Sequence, residues 1–239
     1  WLLREMTAEG GGFVSSYDAD SEGEEGLFYV WTQQDIEKLL GAEDARTFAA
    51  AYDVSATGNW EGRTILNRIK APDLRDAPFE KSLGAMRKNL FQARGARVPP
   101  ARDDKVLADW NGLMIAALVR ASSAFNEPTW IAAAQRAFDH ICRVQSDGSR
   151  LFHSALGDQA INVSFLDDYA AMAGAALTLF ETTGSQEYLD RAIGWAEILE
   201  TQFWDNENGG YFFSPADGEP LILRPRHAMD SAVPSGNGL

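Results

Sequence analysis

The chain has 239 residues, 45% of them apolar, which is enough to bury a sizeable core. Its 35 acidic against 21 basic side chains give a formal charge of -14, and a field of that sign repels phosphate backbones and anionic lipid surfaces, so neither nucleic acid nor a membrane is an expected partner. The single cysteine, Cys142, excludes an internal disulfide framework, a C-x-x-C redox pair and a cysteine metal cluster, and fits a reducing cytoplasm.

In chain order, Gly11-Gly12-Phe13 leads into the densest acidic run, Tyr17 to Gly26. Asp18, Asp20, Glu22 and Gly23 stand at positions one, three, five and six of a calcium loop, but position twelve is Tyr29 where a bidentate Glu is required. The run therefore reads as a solvated or pocket-lining loop, with Asp20 and Glu25 as candidate substrate contacts. Thr32, with Asp35 three residues on, makes a capping box and predicts a helix over 33–41 that Gly41 ends. Further helices are predicted over 43–52 and 79–94. Ala71-Pro72 and Ala77-Pro78 punctuate the loop between them, and Val98-Pro99-Pro100 enforces an extended approach to the next helix.

From there the chain repeats. Trp110 to Leu118 and Tyr169 to Leu177 share one phase and are apolar on every side, as in helices buried all round. Each is followed by an amphipathic helix, over 128–145 and 186–203. Gly11-Gly12-Phe13 matches Gly209-Gly210-Tyr211, and Asn237-Gly238-Leu239 matches Asn111-Gly112-Leu113. Buried inner helices alternating with half-exposed outer ones predict an all-α fold, an incomplete (α/α)6 toroid read as one domain over 1–239 and truncated at both ends. The most apolar charge-free stretch, Tyr169 to Phe180, falls short of the roughly 20 residues that span a bilayer.

The inner-to-outer turns are short, whereas the outer-to-inner connections, about 7–31, 146–164 and 204–235, are long and hold the glycines, aromatics and unusual charges; such loops are where function sits. Asp103, Asp104 and Asp109 precede or open one inner helix, and Asp167 and Asp168 another. Paired carboxylates suit acid/base work when burial and repulsion keep one protonated, although Asp is also a preferred N-cap. Asp104, Asp168 and His153 are the catalytic candidates. Arg226 and His227 offer groups for a substrate anion or proton transfer. Trp110 and Tyr169 could stack on a sugar face, though both fit core packing better. His140 falls on the polar face of its helix and is expected to be exposed. No phosphate loop, dinucleotide fingerprint, zinc-helix motif or serine elbow occurs, and no metal or cofactor is expected.

Six motifs carry a family resemblance: Ser16-Tyr17-Asp18-Ala19-Asp20-Ser21-Glu22-Gly23, Gly26-Leu27-Phe28-Tyr29-Val30-Trp31-Thr32, Glu61-Gly62-Arg63-Thr64-Ile65-Leu66, Asp103-Asp104-Lys105 with Trp110-Asn111-Gly112-Leu113, Leu166-Asp167-Asp168-Tyr169-Ala170, and Pro234-Ser235-Gly236-Asn237. Together they resemble the family of spermatogenesis-associated protein 20 and its bacterial relatives. The resemblance implies a thioredoxin-like domain ahead of this chain and a toroid of the six-hairpin glycosidase and N-acylglucosamine 2-epimerase type, with a carbohydrate association but no stated reaction. Two functions follow. One is a sugar-active site, either a hydrolase using Asp104 and Asp168 or an isomerase using His153 and His227, acting on a small sugar-like ligand. The other is a non-catalytic scaffold that presents a ligand or client to the thioredoxin-like domain.

Overall fold

Local sequence signals locate most helices of the computed structural model, which describes residues 1–239. In chain order the elements are α1 (Leu2–Glu5), β1 (Val14–Tyr17), β2 (Asp20–Ser21), β3 (Glu24–Glu25), α2 (Gln33–Leu40), α3 (Ala42–Tyr52), α4 (Ala77–Arg94), β4 (Arg102–Leu107), α5 (Ala108–Phe125), α6 (Pro128–Val144), β5 (Ser146–Asp147), β6 (Arg150–Leu156), β7 (Gln159–Val163), α7 (Leu166–Thr183) and α8 (Gln186–Ile198), the last running into a π-helical turn over Leu199–Phe203. Two compact units result: unit 1 comprises 1–16 and 103–239, and unit 2 comprises 17–102.

Unit 2 has its own core, in which Trp31, Ile36 and Phe48 pack with Leu83, Met86 and Leu90 of α4. The Thr32 side chain accepts the Asp35 N–H, and the Asp35 carboxylate accepts the Thr32 N–H, completing the expected capping box. The acidic run is a β-hairpin. Asp20 pairs with Glu25 and Ser21 with Glu24, and the turn residues Glu22 (φ 54°) and Gly23 (φ 82°) both lie in the left-handed region that a two-residue hairpin requires.

In unit 1, α5 packs on α7, α6 on α5, and α8 on α7. The close approach of α5 and α7 depends on Gly112, where an added Cβ would lie 2.6 Å from the carbonyl carbon of Ala171. The second hairpin follows the expected contrast: α7 buries Met172, Ala175, Ala176 and Leu179, whereas α8 buries only Tyr188, Ala192 and Trp195. The first does not, because α5 exposes Trp110 and Phe125 while α6 buries Ala133, Ala134, Ala137, Phe138, His140 and Ile141.

A repeated clamp fixes the long connections. Asn111 Oδ1 accepts the Phe13 N–H (2.7 Å) and its Nδ2 donates to the Phe13 carbonyl (2.9 Å). Asn237 does the same to Tyr211, at 2.8 and 3.0 Å. The matched Asn-Gly-Leu and Gly-Gly-aromatic motifs are thus the two halves of one interaction, made twice.

Four expectations are corrected. The fold is mainly helical but not all-α, since β4, β5 and β7 pair antiparallel with β6 in a five-stranded sheet that includes β1. The long connection read over 146–164 is not an irregular loop but holds a hairpin closed by Leu156↔Gln159 around Gly157 (φ 61°) and Asp158. His140 is 4% exposed, because the Gly10–Gly12 loop lies on its ring so closely that a Cβ at Gly12 would stand 2.6 Å from Cδ2. Trp110 is 43% exposed, so it is not a core residue, whereas Tyr169 is buried and its hydroxyl oxygen accepts the Leu151 N–H.

Candidate functional site

The N-termini of α5 and α7, both in unit 1, bring Asp109 and Asp168 together. Asp168 is fully buried, and its carboxylate accepts the Phe165 N–H (2.7 Å), the Asp109 N–H of the neighbouring helix (3.1 Å) and His153 Nδ1–H (3.0 Å). A carboxylate can be buried at this depth only when donors replace its water, and three do so here. The capping role expected of an N-terminal Asp is therefore present, but it is shared with a second helix and with a strand residue, since His153 belongs to β6.

The hydrogen bond to Asp168 holds the His153 imidazole above its ordinary range, against the opposing effect of burial. With Nδ1 committed to Asp168, Nε2 is the nitrogen left for chemistry. Asp109 is raised as well, from a different cause. Burial, and then the adjacent Asp168 carboxylate, push its carboxyl up to about 6, although its own side chain accepts the Trp110 N–H (2.8 Å). Asp167 is also raised, chiefly by burial, and accepts the Gly236 N–H at 2.7 Å.

Aromatic rings wall this cluster. His227 stacks on Phe213 (4.7 Å between centroids), Phe213 on Phe165 (4.7 Å), and His153 meets Phe165 edge-on (5.3 Å). Ligand atoms of Asp109, His153 and Asp168 lie within 4.8 Å of one another. Two carboxylates and an imidazole are a reasonable divalent-metal donor set, but a cation would have to compete with the Asp168–His153 hydrogen bond and with two amide donors.

Of the other residues singled out from the sequence, Asp104 lies on β4 and lines a separate cavity with Glu9, His140, Arg143 and Asp158; the carboxylate facing Asp168 is Asp109 instead. Arg226 pairs with Asp205 (2.9 Å) and donates to the Gly209 carbonyl, tying down the loop before Tyr211. Asp20 and Glu25 are exposed cross-strand partners in unit 2. Asp109 was legible in the repeat, for the alignment of Trp110 with Tyr169 also aligns Asp109 with Asp168. Phe165 and Phe213 carried no comparable signal.

The sequence comparisons agree with the motifs. Spermatogenesis-associated protein 20 from Homo sapiens is 29% identical over 282 residues, covering 100% of this chain. The chain is similar to spermatogenesis-associated protein 20 along its whole length. It spans 36% of the length of that relative, and an uncharacterised Caenorhabditis elegans protein is 27% identical over 99% of the chain and 37% of its own length. No protein-family model matches the chain. Among solved structures, a family 76 glycoside hydrolase from a bovine Bacteroides thetaiotaomicron strain is 13% identical with a TM-score of 0.46, covering 94% of this chain and 45% of that one. A sugar epimerase from a ruminal bacterium is 14% identical with a TM-score of 0.45, covering 99% and 60%. No helix is long and apolar enough to cross a membrane.

Proposed function

We propose that unit 1, as an arc of an (α/α)6 toroid, carries a carbohydrate-active site that moves a proton next to a carbonyl group, as sugar isomerases and epimerases do. The observation that supports this reading is the Asp109 carboxyl, pushed up to about 6 beside the buried Asp168–His153 pair. A group titrating near neutrality can both give and take a proton. In this scheme the Asp109 carboxylate takes the proton from the carbon beside the carbonyl and the His153 imidazolium gives its Nε2 proton to the carbonyl oxygen; Asp109 then returns a proton to the neighbouring carbon of the enediol while His153 Nε2 takes the proton of the hydroxyl there. Asp168 does not touch substrate; it orients His153 and favours its protonated form.

The two-carboxylate hydrolase scheme has less support. Its second carboxylate must attack sugar or activate water, and Asp168 is fully buried with donors on both oxygens. Trp110, exposed next to Asp109, is the proposed stacking platform, with His227 as a further substrate contact. The thioredoxin-like domain implied by the resemblance stays part of the proposal, and the greater length of the relatives agrees with it.

The test is solvent exchange. Full-length protein is incubated with free aldoses and disaccharides in D2O, and deuterium entry at the carbon beside the carbonyl is followed by NMR. Exchange lost in Asp109→Asn and in His153→Gln supports the assignment. Sugar binding with no exchange in the wild type would sink the catalytic reading and leave the non-catalytic scaffold.

A further inference from the structure

Unit 2 contains a cavity of about 490 Å³ with apolar walls from Leu27, Phe28, Val30 and Val98, a volume typical of small-molecule sites. It is lined at one side by the acidic hairpin, which the chemistry of unit 1 does not use. Arg97 is its most unusual lining residue. Nη1 donates to three backbone carbonyls, those of Leu27 (3.2 Å), Phe28 (3.0 Å) and Val30 (2.7 Å), and the guanidinium lies 4.0 Å from the Trp31 ring centroid. One nitrogen thus does all the structural work. The other edge of the fork, Nε and Nη2, has no protein partner, and no carboxylate pairs with this half-buried cation.

We propose that this cavity binds a small organic monocarboxylate, taken bidentately by Nε and Nη2 of Arg97. A planar fork held by carbonyls on one side and a ring face below is preorganised for a carboxylate, because the cost of ordering a long side chain has already been met in the free protein. The other charges set the limit on the ligand. Arg63 also lines the cavity, but its cation pairs with Glu24 (3.0 Å). Glu22 and Asp35 line it too and disfavour a second negative charge. A singly charged carboxylate is accordingly preferred over a phosphate ester, and Glu22 can accept from a hydroxyl or ammonium group on the ligand.

The experiment uses full-length protein with D-glucuronate, L-lactate and glycine as probes and glucose 6-phosphate as the phosphate arm. Affinity is read by calorimetry and the site by the Arg97 Nε–H resonance in nitrogen-15 spectra. At least one monocarboxylate is expected to bind with a Kd of about 1 mM or tighter and to shift that resonance, with the phosphate ester at least about tenfold weaker. Arg97→Lys keeps a donor for the carbonyls but loses the fork, so affinity should fall at least about tenfold while the melting temperature changes little. Glu22→Gln should narrow the gap between phosphate and carboxylate. If no monocarboxylate shifts Arg97 at about 10 mM, if Arg97→Lys binds as well as the wild type, or if the phosphate ester binds tighter, the proposal is overturned. Should Arg97→Lys fail to fold, the wild-type resonance alone decides.

Discussion

Asp168→Asn removes the charged acceptor that holds His153, and the main cause of the raised imidazole pKa goes with it. The expected outcome is a lower His153 pKa, measured by NMR titration, with proton exchange lost even though Asn can still accept the Phe165 N–H. The sign of the stability effect follows: a raised His pKa contributes stability that is present below the unfolded value and is lost as pH rises through the folded one. Asp109 behaves differently from an ordinary carboxylate. Its folded pKa of about 6 exceeds the ordinary carboxylate value of 3.8, so the folded state holds the proton more tightly and loses stability as pH rises across that interval. Asp109→Asn should abolish this loss. Melting temperatures of the two proteins between pH 4 and pH 7 should therefore diverge upward for the variant, and parallel curves would show that Asp109 is not raised. Cys142 should be inert to thiol reagents near neutral pH, since burial pushes its thiol up to about 12.

Gly112 and the asparagine clamps carry the arrangement of elements. Gly112→Ala places a methyl group 2.6 Å from backbone that cannot move independently of α7, and overpacking of this kind costs about 1–3 kcal/mol, readable by urea denaturation. Asn111→Ala strands the N–H and carbonyl of buried Phe13, whereas Asn237→Ala does so at the less buried Tyr211. The first substitution should thus destabilise more than the second, by about 1–3 kcal/mol for each stranded group that water cannot reach. The helices were legible because their apolar periodicity and caps are local; the Thr32–Asp35 box behaves as read, and the helix over Tyr169–Phe180 is largely buried, although not on every side, since Leu177 is exposed. The sheet was missed because β6 and β7 lack strict alternation; a Gly157-Asp158 turn between Phe152–Leu156 and Ala160–Val163 was the available signal. His140 was misplaced since its burial comes from a loop more than a hundred residues away, which helix periodicity cannot register. In the site, Asp168 and His153 were legible and the structure brings them together, whereas Asp104 lies on β4 away from them and the repeat phase alone pairs Asp109 with Asp168.

Unit 2 interrupts unit 1 in the chain, and the interruption begins and ends at one place. Within unit 1, Ser15 Oγ donates to the Asp103 carbonyl (3.2 Å), and within unit 2 the Asp18 N–H donates to the Ala101 carbonyl (2.8 Å). Replacing residues 17–102 by a short glycine linker should therefore leave unit 1 folded, with its helical circular dichroism and cooperative melting retained; a molten product would show that unit 1 depends on unit 2. The clamp between Phe13 and Asn111 also sets an order of events. Its two sides are separated by the whole of unit 2, and closing an unstructured loop of that length costs about 4 kcal/mol in chain entropy. Once unit 2 has folded, its own ends meet, and the loop that Phe13 must close becomes only a few residues long. The inserted unit thus works as an internal matchmaker during synthesis: residues 1–16 emerge before it, wait, and are handed to α5 when residues 17–102 have taken shape, so that a mutation weakening the core around Phe48 should slow refolding of the Phe13 clamp in the other unit.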